Sequence, residues 1–326
     1  MVRHPNFFIV GAPKCGTTSL YEALRRQPSI FMPHDPQHYW LAKEPNYFCP
    51  ELVARTNLAV SRPNDYLRLF SPATDQSCVG EASTLYLYSE LAAQRIYETY
   101  PHGRVIAMFR EPVAMMQAWH ADNLRHGHEV ELSFERALEL EEPRRHGRHL
   151  PRGCGYPQCL QYRSIANFSQ QLERYQRYFA PSQIKVLLLQ DLAQQPQRAL
   201  NDVLNFLGLP AAGLEQLEVH NPRTQLHQGE LLKHRLKNWL RGFGIVRAAI
   251  KFMPIDFDRV LGRILRPAMS RKVVESSADP GFLADLRRQM RPEVQRLSQL
   301  IGRDLSDWEE SAEGVASPNI PAPHPV

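Results

Sequence analysis

Lys14 lies inside a glycine-bounded loop, Gly11 to Gly16, and three hydroxyl residues in a row follow it, Thr17, Thr18 and Ser19. An ammonium among loop amides and hydroxyls is the chemistry of an anion site. Backbone N–H groups at a helix start point outward, and the helix dipole favours negative charge there. The first candidate site is therefore Pro13, Lys14, Cys15, Gly16, Thr17, Thr18 and Ser19. The glycines are spaced as in a P-loop, and Thr18 stands where that motif carries its hydroxyl. The lysine, however, is inside the loop, and Thr17 takes the usual lysine position. A tight turn from strand to helix would account for Gly11, Pro13 and Gly16, but not for Lys14 beside the hydroxyls.

Two further charged positions invite the same scrutiny. Arg110 ends an apolar run just before Pro112. A guanidinium at such an edge can grip a phosphate through its planar fork, or it can be a surface arginine paired with Glu111 or Glu98. The Lys43–Glu44 dipeptide is either a solvated pair in a loop or a carboxylate with positive charge close by, suited to taking a proton.

The elements that must position these groups follow from the apolar pattern. Phe7–Val10 reads as a short buried strand, and Leu20, Tyr21, Ala23 and Leu24 mark a helix over 17–27, stopped by Pro28. Residues 33–50, with four prolines, read as irregular. Helix is expected at 65–70 and 89–100, strand at 78–82 and 104–110, and a helix from Pro112, since proline suits a first turn. A long helix over 160–179, a strand over 184–189 and a helix over 196–207 complete the order. Tyr162, Phe168, Leu172 and Tyr175 fall at helical spacing and read as core. Strands alternating with helices predict an α/β fold, a P-loop-like doubly wound parallel sheet flanked by helices, in a single domain.

Composition narrows the function class. Hydrophobic residues are 43% and charged residues 22% of 326, as in an ordinary globular protein. A formal net charge of +5 suits an anionic small ligand and is too small for this length to argue for nucleic acid. No apolar run is long enough for a transmembrane segment or a leader, so the expected location is cytoplasmic. The five cysteines are scattered, and only Cys154 and Cys159 lie close enough in one Gly/Pro-rich loop to pair or share a metal. Residues 233–272 are rich in Lys and Arg, with Asp256 and Asp258 the only acids, and 311–326 reads as a disordered tail.

Gly-Ala-Pro-Lys-Cys-Gly-Thr-Thr-Ser-Leu, Gly11 to Leu20, resembles the 5′-phosphosulfate loop of sulfotransferases that use 3′-phosphoadenosine 5′-phosphosulfate (PAPS). It is most similar to the carbohydrate (heparan-type) branch and its bacterial relatives. The resemblance implies that Lys14 steadies the leaving oxygen, that Gly16, Thr17, Thr18 and Ser19 hold the 5′-phosphate, and that PAPS is the donor with no metal. Phe109 to Val113 is similar to the family's 3′-phosphate element, which gives Arg110 that phosphate, although Ala118 stands where the family has a serine. Arg223, in the loop from Asn221, is a second candidate for the same anion. Lys43-Glu44-Pro45-Asn46-Tyr47-Phe48 resembles the element whose glutamate is the general base, implying that role for Glu44 with Lys43 beside it.

On the acceptor side, Gly80-Glu81-Ala82-Ser83 resembles a saccharide-contacting segment, with Ala82 in place of a lysine, and Glu81 is the candidate contact. Arg163 is another, in a stretch similar to a bacterial relative's acceptor-side helix. His34, His38 and His120 are rival bases. The resemblance makes 1–310 the sulfotransferase domain, with 233–272 a basic helical insertion, and implies a small-molecule or saccharide acceptor, with the sulfuryl group passed to a hydroxyl of a saccharide, glycolipid or secondary metabolite. Two other readings stay open: a P-loop kinase or nucleotidase, for which Asp191 would have to hold magnesium, and a nucleotide-binding scaffold without catalysis.

Overall fold

The computed structural model describes residues 3–35, 37–53, 56, 59–152, 154–213 and 278–310. Arg223, the basic stretch 233–272 and the tail from 311 lie outside the described residues. Five strands, β1 (Phe7–Gly11), β2 (Ile30–Phe31), β3 (Cys78–Ala82), β4 (Arg104–Phe109) and β5 (Ile184–Leu188), pair in parallel in the order β2-β3-β1-β4-β5. Phe7, Phe8, Ile9 and Val10 are all fully buried, as a central strand covered on both faces requires. Burying side chains of this size contributes about 1.5–3 kcal/mol each, and here they anchor the strand from which the Lys14 loop departs.

Helices flank the sheet in two packed groups. The first helix, Thr17–Arg25, packs with Pro196–Phe206, while Pro112–His126, Phe168–Gln176 and the C-terminal Pro280–Ile301 pack with one another. From β1 the chain crosses to the edge strand β2, returns to β3 beside β1, and then lays β4 and β5 on the other side of β1. That reversal is a topological switch point, and in open parallel sheets ligands bind in the crevice outside the strands' C-terminal ends at such a point. The Lys14 loop, residues 12–16, leaves β1 at that edge.

Two expectations need correction. The single helix over 160–179 is instead a 3₁₀ turn, Pro157–Leu160, and two helices, Tyr162–Ile165 and Phe168–Gln176. Side chains satisfy the backbone at the break. The Gln171 amide donates to the Ser164 and Ile165 carbonyls at 2.9 and 3.0 Å, and Glu293 accepts from the Ser169 amide and hydroxyl at 2.6 and 2.5 Å. The apolar spacing survives the break, since Tyr162, Phe168, Leu172 and Tyr175 are all buried. The stretch 33–50, expected to be irregular, contains a short helix at Tyr39–Lys43 and begins another at Pro50. Among the described residues, no helix is long and apolar enough to cross a membrane.

Candidate functional site

The Lys14 loop is shaped by its two glycines. Gly11 has φ 138°, and a Cβ there would sit 2.5 Å from the Thr84 carbonyl oxygen. Gly16 has φ 89°, and a Cβ there would sit 2.7 Å from Leu189. Neither position accepts another side chain without moving backbone or a packed leucine. Between them Lys14 adopts the left-handed φ of 60°, uncommon for a lysine, and Arg110 Nη1 donates to its carbonyl at 3.2 Å. Arg110, which follows β4, thus braces the loop from the neighbouring strand end.

Gly16 is the N-cap of the first helix, and no side chain caps that helix. The helix after β4 is the opposite case. Glu111 folds back over its start and accepts from the Val113 and Ala114 amides at 2.9 and 2.6 Å. The helix after β4 is thus capped by a carboxylate, and the helix after the Lys14 loop is not. Thr17 and Ser19 are buried and Thr18 half-buried, so the hydroxyls lie within the fold at that turn. The Cys15 thiol is fully buried, and burial pushes it up to about 12, so the loop's cysteine stays protonated.

Lys14 Nζ donates to Asp122 Oδ1 at 2.9 Å, across from the middle of the Pro112–His126 helix. Asp122 is also paired with Arg125 and lies 3.5 Å from His126. Burial opposes its ionisation, yet the His126 hydrogen bond and the Lys14 ammonium hold its carboxyl well below the usual range. Asp122 is a carboxylate that competes with any bound anion for Lys14. Nothing in the sequence singled it out, because the pairing spans 108 residues and is made by the fold.

On the other side of β1, Glu44 is fixed at both oxygens. Lys43 Nζ donates to Oε1 at 2.7 Å, and the Thr84 hydroxyl donates to Oε2 at 2.9 Å. The Lys43 side chain is only 1% exposed, so Glu44 cannot swing away without removing a partner from a buried ammonium. Asn46 turns the chain at φ 50° and bonds the Glu44 carbonyl through its amide at 3.0 Å. Thr84 connects the two halves of the site: its carbonyl packs on Gly11 at the start of the Lys14 loop, while its hydroxyl holds Glu44.

Glu81 lies beneath this arrangement, 1% exposed, and not on an open surface. It accepts from the Tyr66 hydroxyl and from Ser83 Oγ at 2.8 Å, and Ser83 Oγ in turn accepts from the Asn46 amide at 3.0 Å. The structure thus puts Glu81 at the root of the chain of bonds that sets the Glu44 turn. Burial pushes its carboxyl up from 4.5 to about 7, against the hydrogen bonds from Tyr66, Tyr86 and Ser83. Between those values the folded chain keeps a proton that the unfolded chain releases, so stability falls as pH rises through the window and is flat above it. Urea unfolding at pH 5 and pH 7.5 should show the protein losing on the order of a few kcal/mol relative to Glu81→Gln. Parallel profiles for the two proteins would mean that Glu81 does not titrate there.

The remaining sequence candidates are placed less centrally. Arg163 pairs with Glu141, its backbone amide donating to the same carboxylate at 2.8 Å, and its guanidinium also reaches the Leu138 carbonyl at 3.2 Å. His120 bonds the Glu131 carbonyl at 2.8 Å, and His38 pairs with Asp35 on the surface. Trp119 donates to the Cys159 carbonyl at 2.8 Å. Asp191 is held by Arg303 at 2.5 and 2.8 Å and accepts from the Leu188 amide at 3.0 Å, a structural ion pair that ties β5 to the C-terminal region. The carboxylate that a magnesium-dependent phosphate enzyme would need is thus already engaged. Among the described residues there is no group of three or more His, Cys, Asp or Glu side chains arranged to hold a metal.

The profile of the sulfotransferase domain matches residues 4–231, well over half of the chain. The chain belongs to the sulfotransferase family. It is 27% identical over 213 residues to the human bifunctional heparan sulfate N-deacetylase/N-sulfotransferase 3, which covers 64% of this chain and 22% of that protein. It is 26% identical over 250 residues to human carbohydrate sulfotransferase 15, covering 63% of this chain and 44% of that one. The chain therefore spans less than half the length of either relative. Among solved structures, the sulfotransferase from Alicyclobacillus acidocaldarius is similar at 28% identity with a TM-score of 0.66, over 95% of this chain and all of that one. In this family member the phosphate-loop geometry, the Arg110 brace and the Glu44 turn meet at one sheet edge.

Sequence reasoning missed one residue here, Asp122, which holds Lys14.

Proposed function

We propose that the protein transfers the sulfuryl group of PAPS to a hydroxyl of a saccharide acceptor. The observation that carries this reading is Lys14 inside an uncapped helix-start loop, with Glu44 fixed by Lys43 and Thr84 across the adjoining strand end. The match to the sulfotransferase domain and the names of the relatives support it.

The amides from Gly16 to Ser19 hold the donor's 5′-phosphate, and Arg110, beside the loop, takes the 3′-phosphate. Glu44 accepts the proton of the acceptor hydroxyl as its oxygen attacks sulfur. The sulfur–oxygen bond to the 5′-phosphate breaks, and Lys14 neutralises the charge that develops on the departing oxygen. A sulfuryl group carries less negative charge than a phosphoryl group, so one ammonium and the loop amides suffice for this stabilisation.

To do this Lys14 must exchange Asp122 for the donor. Asp122→Asn removes the competing anion, and affinity for adenosine 3′,5′-bisphosphate should rise about three- to tenfold, roughly 1 kcal/mol. Calorimetric titration reads this directly, and unchanged or weaker binding would show that the ion pair does not compete. The transfer itself is tested with donor carrying ³⁵S and a panel of saccharide and phenolic acceptors. Label on a saccharide oxygen is expected, and label confined to phenols would overturn the acceptor class.

A further inference from the structure

Cys154 and Cys159 take no part in the chemistry above, yet the fold brings their sulfurs to 3.7 Å. A disulfide has an S–S distance of about 2.05 Å, so the two atoms need to close by less than about 2 Å. Their surroundings differ. Cys159 is 1% exposed, and its carbonyl is fixed by Trp119 Nε1 at 2.8 Å and Asn123 Nδ2 at 3.1 Å, both from the Pro112–His126 helix. Cys154 is half-buried, on a turn closed by its own amide to the Pro151 carbonyl at 3.0 Å. One thiol is held rigidly inside, and the other is within reach of a small reagent.

The electrostatics divide the roles in the same direction. The contact between the two sulfurs and the Tyr156 amide pull the Cys154 thiol down against burial, while burial pushes Cys159 up. Cys154, the more exposed of the two, is the thiol that meets a small reagent first. Cys15 and Cys49 are buried and pushed up by that burial, and Cys78 is buried as well.

We propose that Cys154 and Cys159 form a reversible redox pair that closes on reaction with a small disulfide such as oxidised glutathione. The Cys154 thiolate attacks one sulfur of glutathione disulfide, forming a mixed disulfide and releasing one glutathione thiolate. Cys159 then loses its proton and attacks Cys154 Sγ, forming the internal disulfide and releasing the second glutathione. Two protein thiols are oxidised, and one glutathione disulfide is reduced to two thiols.

The test uses the full chain equilibrated over a series of glutathione redox ratios, then alkylated and mapped by peptide mass. As the oxidised share rises, a Cys154–Cys159 cross-linked peptide should appear, with Cys15, Cys49 and Cys78 remaining thiols and dithiothreitol reversing the change. Cys159→Ser should stall with glutathione on Cys154, and Cys154→Ser should form neither product. All five cysteines remaining thiols throughout, or a different pair linking, overturns the proposal.

Discussion

Lys14→Ala should lower the turnover of sulfuryl transfer by roughly 10²–10³-fold, the scale of losing one preorganised donor aimed at developing charge. The lysine sits in a loop whose conformation is set by Gly11, Gly16 and the Arg110 brace, so the loop keeps its shape when the lysine side chain is removed. Removing it leaves the loop amides and Arg110 to hold the nucleotide, and bisphosphate affinity should weaken far less than turnover. Stability should barely move. The Lys14–Asp122 pair is partly exposed, at 25% and 16%, and such pairs contribute about 0–1 kcal/mol. A variant that folds, binds the bisphosphate and still transfers sulfate within a factor of three would remove Lys14 from the reaction. Lys14→Arg is no substitute, since a planar fork does not occupy the position of a compact ammonium.

The second large effect is at Glu44. Glu44→Gln keeps the shape and leaves a carbonyl oxygen for Lys43 or the Thr84 hydroxyl, so the buried Lys43 retains an acceptor. What the substitution removes is the ability to take a proton, and turnover should fall by about 10²–10⁴-fold. Bisphosphate affinity should be unchanged, because Glu44 is held by Thr84 on the β3 side of β1, whereas Arg110 braces the Lys14 loop from the β4 side. The comparison is steady-state kinetics beside calorimetry on the same preparation. Loss of turnover and of bisphosphate binding together would mean that Glu44 supports the loop and not the proton transfer.

Much of the fold was readable because it rests on local pattern. The buried strand Phe7–Val10, the proline that opens the helix at Pro112 and the apolar run before Arg110 each show their element within a few residues. The break at Ala166–Asn167 was not readable, since Gln171 and Glu293 satisfy its backbone, the second from over a hundred residues away. The same division runs through the site. Pro13–Ser19, Lys43–Glu44 and Arg110 are contiguous motifs, and the fold brings them to one edge. Asp122 has no local signature: it matters because a helix distant in sequence packs beside Lys14. Glu81 was visible as a residue but not in its place, because burial under the Glu44 turn depends on Tyr66 and Ser83.

Everything rests on the Lys14 loop accepting a nucleotide with phosphates at the 3′ and 5′ positions. Calorimetric titration of the unmodified protein with adenosine 3′,5′-bisphosphate, beside ATP with and without magnesium, tests this most directly. Micromolar binding of the bisphosphate without magnesium, with ATP much weaker, is the predicted result. Tight magnesium-dependent binding of ATP, with the bisphosphate silent, would contradict it.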